Sequence, residues 1–154
     1  MRLESTTGAI TVRRAGPLDA ALAAALHAGS FARGWDETSM AQFLAAPSCL
    51  CLVASLVPES APAGLLIARI ARDEAELLTL AVDPQCRRQG LARALLEAAV
   101  RQLRAAGARQ LCLEVDPGNG AALKLYDSMG AVRVGKRKAY YQHGADASIF
   151  SLAL

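Results

Sequence analysis

Residues 77–107, LLTLAVDPQCRRQGLARALLEAAVRQLRAAG, constrain the fold of this chain more than any other stretch. An apolar run, Leu77-Leu78-Thr79-Leu80-Ala81-Val82, ends at Asp83-Pro84. A short basic turn follows, Arg87-Arg88-Gln89-Gly90, and a long amphipathic stretch closes at Gly107. The pattern predicts a strand, a tight turn and a helix. The first amides of a helix lack intrahelical partners and its dipole adds partial positive charge, so this terminus attracts anions. Gly90 has no Cβ and lets the backbone come close to a bulky anion. Ala92 keeps the next turn small, and Arg88 and Arg93 add charge. The pattern alone leaves open whether anything binds, because many α/β loops share it.

Within the helix predicted over 91–106, Leu91, Ala94, Leu95, Ala98 and Leu103 fall on one face. Arg93, Glu97, Arg101 and Arg104 fall elsewhere, and Glu97 precedes Arg101 in the favourable i,i+4 order. Upstream, 9–13 is the first predicted strand, and a helix over 18–27 is stopped by Gly29. A loop over 30–37 carries Phe31 and Trp35. A second helix follows over 38–46, with Thr38 or Ser39 as its cap. Strands are predicted over 49–56, 63–71 and 76–82, the last two as a hairpin. Downstream come a strand over 109–115, a turn over 116–120 and a short helix over 121–129. A strand beginning at 132–134, a basic aromatic segment over 136–142 and a strand over 148–154 complete the order β-α-α-β-β-β-α-β-α-β-β. Such a mixed sheet with helices on both faces is an α/β class, and 154 residues suit one domain, 1–154.

Composition narrows the function. The chain is 53% apolar and 20% charged, which excludes disorder. A net charge of +3 suits an anionic small-molecule ligand at least as well as nucleic acid. No apolar run reaches the roughly 18 residues of a membrane span, and the first residues show no secretory pattern, so a cytoplasmic placement away from membranes is expected. Cys49, Cys51, Cys86 and Cys112 form no Cys-x-x-Cys pair, and His27 and His143 lie far from them in sequence. Neither zinc nor a disulfide framework is expected. Cys49 and Cys51 read as small apolar filler in a strand.

Three residues outside the turn invite chemical readings. Glu114 is the lone carboxylate of an apolar strand, with Leu111, Leu113 and Val115 on one face and Cys112 and Glu114 on the other. Apolar surroundings would raise its pKa and make it a better base. The spacing alone favours a glutamate facing solvent, because sheet faces often alternate apolar and polar residues. Tyr126, on a short helix, reads as packing or as a proton donor. Trp35 either packs or lines an entrance. The segment Lys136-Arg137-Lys138-Ala139-Tyr140-Tyr141 reads as an exposed basic strand or as a single-strand nucleic-acid patch.

The turn fits the Q/R-x-x-G-x-G/A pattern of the GNAT N-acetyltransferases, with Arg87, Gly90 and Ala92 at its defining positions. Over about residues 77–130 the chain most resembles the ribosomal-protein alanine N-acetyltransferases (RimI-like). LAVDP with RRQGLARALLE, then LEV, Asn119, Leu125-Tyr126 and the late RKAYY carry that likeness. The resemblance implies a mostly antiparallel central sheet splayed between its fourth and fifth strands, with acetyl-CoA in the splay and no metal. Backbone groups of Leu80, Ala81 and Val82 would hold the pantetheine arm. The turn from Arg87, through the amides of Arg88, Gln89, Gly90, Leu91, Ala92 and Arg93, would hold the pyrophosphate, with Asn119 a further contact. The side chain at Leu91 would be permissive. Glu114 would be the proton acceptor, Tyr126 the proton donor, and Trp35, Tyr140 and Tyr141 would face the acceptor.

The implied partner is a protein or peptide N-terminus, such as that of a small-subunit ribosomal protein. The implied enzyme is a monomer or weak homodimer that does not bind nucleic acid directly. Three places depart from the family pattern. Gly34 precedes Trp35 where a proline is common. Ala131 follows Gly130 where a phenylalanine is usual, and Asp116-Pro117-Gly118 stands where an arginine is usual.

Overall fold

The computed structural model describes residues 3–7, 9–29, 34–137 and 146–154, and for 3–7 the backbone only. Their elements are β1 (Leu3–Thr7), β2 (Ile10–Arg14), α1 (Ala20–Ala28), α2 (Glu37–Ala45), β3 (Cys49–Ser55), β4 (Gly64–Ala71), β5 (Glu74–Val82), α3 (Leu91–Ala105), β6 (Gln110–Val115), α4 (Gly120–Ser128), β7 (Val132–Arg137) and β8 (Ala147–Ala153). The strands form one sheet of eight, in the order β1-β2-β3-β4-β5-β6-β8-β7. Every neighbouring pair is antiparallel except β5 and β6, which run parallel because α3 carries the chain across between them.

Seven strands are predicted from the sequence and eight are observed. The extra strand is β1, whose Thr7 faces Ile10 across a two-residue connection. The Gly-Ala at 8–9 is a hairpin signal, but LESTT is too polar to stand out by apolar alternation. The cap of α2 also differs. Asp36 fills that place, its carboxylate accepting from the Ser39 amide at 2.7 Å, so the helix starts ahead of Thr38 and Ser39.

The sheet is packed on both faces. Leu52 and Leu66 point to the face covered by α3, where Leu91, Leu95, Leu96 and Leu103 are fully buried. Each such leucine contributes roughly 1.5–3 kcal/mol. Val53, Leu65 and Ile67 point to the opposite face, under Ala23 and Leu26 of α1 and Met40 of α2. Leu111, Leu113 and Val115 of β6 are buried while Cys112 and Glu114 are half-buried, as the alternation predicts.

Asp19 anchors α1 to the sheet. Its carboxylate accepts from both terminal guanidinium nitrogens of Arg13 on β2, at 3.0 and 3.1 Å, and from the Gly16 amide at 2.8 Å. The Arg13 hydrogen bonds hold the carboxyl below the usual range, against burial. A depressed carboxyl contributes stability above its unfolded pKa of about 3.9 and loses it as pH falls through the folded value. Asp19→Asn is therefore expected to lower unfolding free energy at pH 7 by about 1.5–3 kcal/mol. Denaturant titrations of both proteins should converge below about pH 4. An unchanged midpoint at pH 7 would disprove this anchor.

Two irregularities open the sheet near its middle. β5 and β6 pair over three positions only, Glu74–Gln110, Ala75–Leu111 and Glu76–Cys112, and then part. Just past the last rung, β5 bulges against β4: Leu77 faces Ala68 and Thr79 faces Ile67, leaving Leu78 extra. A bulge bends its strand and increases the local twist.

Candidate functional site

Beyond Glu76 and Cys112 the parting strands leave a cleft of about 880 Å³, within the usual range for ligand pockets. Its walls include residues of β5, β6, α4 and the α1–α2 region. Along β5, the edge from Leu77 to Ala81 that faces β6 has no strand beside it among the described residues. Backbone N–H and C=O groups on such an edge are obligatory hydrogen-bonding groups, available to an extended ligand. Leu80, Ala81 and Val82 continue this strand, paired on the other side with Leu66, Leu65 and Gly64.

The basic turn lies past the end of β5. Arg88 has φ 63° and Gly90 has φ 91°, both left-handed. Gly90 is the N-cap of α3 and supplies no side-chain cap. The first helical bond runs from the Ala94 amide to the Gly90 carbonyl, so the amides of Leu91, Ala92 and Arg93 precede it. Arg87, Arg88 and Gln89 are exposed, and neither arginine is ion-paired among the described residues. Two side chains differ from expectation. Leu91 is not permissive: it is 1% exposed and packs in the core beside Gly64. Arg93 turns its guanidinium away to Ser128 and to the Met129 sulfur, tying α3 to the end of α4.

Glu114 and Tyr126 both line the cleft. Glu114 does not sit among apolar groups, as its strand suggests; both carboxylate oxygens accept from Arg137 Nη1, at 3.1 and 3.2 Å. Arg137 lies on β7 and reaches across β8, where its ladder partner is the small Ala147. Tyr126 is 4% exposed, and burial pushes its phenol up to about 12. Asn119 lines the same cleft and caps α4, its Oδ1 accepting from the Ala122 amide at 3.1 Å. Its two amide N–H groups are not needed for that cap. Asp116 shapes the preceding loop by accepting from the Gly118 amide at 2.8 Å.

Trp35 both packs and lines the cleft. Its ring stacks between Phe43 and His27, with centroids 4.6 and 4.3 Å away. Its amide donates to His27 Nδ1 at 3.1 Å, and burial pulls the His27 pKa down, so that nitrogen is an acceptor. Phe31, Tyr140 and Tyr141 lie outside the described residues.

In the basic segment, Lys136 pairs with Asp146 at 3.6 Å and Arg137 with Glu114, which leaves less free charge for nucleic acid. Cys112 lines the cleft, but burial first and Glu114 second push its thiol pKa up, which disfavours a thiolate nucleophile. Burial pushes Cys51 up to about 12. No His, Cys, Asp or Glu cluster among the described residues is placed to hold a metal. No helix among them is long and apolar enough to cross a membrane.

Among the polar wall residues that sequence reasoning missed are His27, Thr79, Arg137 and the ion pair of Arg69 with Glu76. Arg69 and Glu76 face each other because the observed turn between β4 and β5 is two residues long, Arg72-Asp73, where the sequence predicts a turn over 72–75.

Residues 21–131 match the family model described as acetyltransferase (GNAT) family. A curated relative, the ribosomal protein bS18-alanine N-acetyltransferase of Escherichia coli K12, is 44% identical over 79 residues, 51% of this chain and 53% of the relative. The protein of that name from Salmonella typhimurium is 38% identical over 102 residues, 64% of this chain and 69% of the relative. The match thus spans about half the length of the first of these relatives and somewhat more of the second. The crystal structure of the Escherichia coli ribosomal-protein-S18-alanine N-acetyltransferase superposes with TM-score 0.84 at 33% identity, covering 94% of this chain and 93% of that one.

Proposed function

The chain belongs to the GNAT acetyltransferase family, and from that membership we propose that it moves the acetyl group of acetyl-CoA directly to an amine. The acceptor we infer is a protein α-amine, with an N-terminal alanine on a ribosomal or other protein as the first candidate. One observation carries the reading: an open strand edge, a carboxylate and a buried phenol meet in one cleft, at the end of a strand that leads into a helix N-terminus.

In this reading the edge of β5 pairs with the pantetheine arm like an added strand. The amides at the start of α3 take the pyrophosphate, with Arg87 and Arg88 beside it. Asn119 offers its remaining N–H groups to the cofactor. Glu114, directly or through one water, removes a proton from the acceptor amine. The neutral amine attacks the thioester carbonyl, and a backbone amide of β5 stabilises the oxyanion. The tetrahedral intermediate gives up the extra proton on its nitrogen to water and expels the coenzyme A thiolate, towards which Tyr126 presents its phenol O–H. Fixing both reactants in the cleft supplies proximity. Trp35, Tyr140 and Tyr141 are assigned to the acceptor side.

An α-amine has a reference pKa of about 8 against about 10.4 for lysine, so it is the easier amine to neutralise near pH 7. The names of the relatives point the same way. The test is coenzyme A release on peptides beginning with alanine, compared with the same peptides blocked at the N-terminus. Turnover on free peptides alone is expected. Equal turnover on blocked peptides containing lysine, or turnover only on small amines, would overturn the α-amine acceptor. Tight acetyl-CoA binding with no thiol release on any amine would overturn catalysis altogether.

A further inference from the structure

Thr79 is 4% exposed, and its hydroxyl oxygen is buried without a hydrogen-bond partner among the described residues. A buried hydroxyl left unpaired is costly, and native structures hold few of them. The other such atom among the described residues is Nε2 of Gln102, on α3, and it does not line the cleft. Thr79 does line it, together with Glu114 and Tyr126.

The bulge decides which way Thr79 faces. Glu76 faces Arg69 and Thr79 faces Ile67, so Glu76 and Thr79 share one side of β5 although they are three positions apart. A regular strand would put them on opposite sides. Glu76 is also level with Cys112, and Cys112 shares its face of β6 with Glu114. The extra residue Leu78 therefore turns the Thr79 side chain to the side of the sheet where Glu114, His27 and Trp35 border the cleft. The opposite side of β5, carrying Leu77 and Leu80, packs with α3.

We propose that Thr79 is a binding residue for the acceptor amine, an inference that rests on the acetyl-transfer reading above. An amine brought out of water needs acceptors for its N–H groups. Glu114 takes one of them, and the Thr79 hydroxyl oxygen takes a second. The hydroxyl is sealed from water in the free protein, and a change of χ1 rotamer presents it to the ligand. The lone pair of the amine is then held towards the thioester carbonyl. The proton still leaves to Glu114, and Thr79 forms and breaks no covalent bond.

The experiment compares wild type, Thr79→Val and Thr79→Ser for coenzyme A release on an alanine-starting peptide, with thermal melts of all three. Thr79→Val is expected to lower kcat/KM for the peptide about tenfold, the size of one lost hydrogen bond. It should leave KM for acetyl-CoA unchanged and the melting temperature unchanged or higher, since it removes an unsatisfied group. Thr79→Ser should recover most of the loss. Wild-type kinetics in Thr79→Val, a loss accompanied by a lower melting temperature, or a raised KM for acetyl-CoA would each overturn the inference alone. No thiol release by the wild type on any amine would overturn the proposed function and this inference with it.

Discussion

Glu114→Gln is expected to lower kcat/KM for the acceptor by about 10²–10⁴-fold at pH 7, the usual contribution of a positioned general base. Folding should be little affected. The Arg137 partner is 56% exposed, and pairs of this kind contribute roughly 0–1 kcal/mol. The pH dependence is the stronger test. Without its base the enzyme depends on amine that is already neutral. For an α-amine of pKa about 8, that fraction rises about tenfold per pH unit from pH 6 and levels above pH 8. A lysine acceptor would extend the steep region to about pH 10. The activity ratio of wild type to variant should therefore narrow as pH rises. A variant that matches wild type from pH 6 to 9 would remove Glu114 from the reaction.

Tyr126→Phe is expected to lower kcat by about 10²-fold or more, through the departure of the thiolate. The phenol, pushed up to about 12, is a weaker acid than a thiol of pKa about 8.5. Complete proton transfer to the thiolate is thus uphill, so in the proposed reaction Tyr126 would act chiefly by donating a hydrogen bond to the leaving sulfur, with water completing the protonation. Two outcomes follow from the sign of the shift. The phenol stays protonated far above neutrality, so it should cause no loss of rate up to about pH 10. An acetyl thioester of a more acidic thiol needs less help in leaving, so it should narrow the gap between Tyr126→Phe and wild type. The same loss with both donors would place Tyr126 outside the leaving-group step.

Part of the fold and site is legible in the chain and part is not, for identifiable reasons. The strand, turn and helix of 77–107 are legible because one local period follows another, and the apolar face of α3 is the face it buries. Alternation along β6 likewise puts Glu114 opposite the core. The partner of Glu114 is not legible. Arg137 reaches it only because β8, the last strand in sequence, inserts between β6 and β7. Thr79 is hidden for a different reason. Period-two reading carries its phase through Leu78, and the bulge breaks that phase at the site. Leu91 shows the opposite error: a family pattern built on backbone amides says nothing of what a side chain in it packs against.

The short seam between β5 and β6 also bears on solubility. A protein that recognises an extended molecule by its backbone must keep a strand edge unfilled, and an unfilled edge ordinarily invites another copy's strand and then aggregation. Here the unfilled edge is interior. It begins where three rungs still join the two strands, and β6 stands across the gap with β8 and β7 behind it. A long flat strand of a second copy would have to enter a wedge that is closed at one end, whereas a slender chain can lie along its side. An interior position thus lets this edge stay open to a ligand while shielding it from strand-to-strand pairing with another copy.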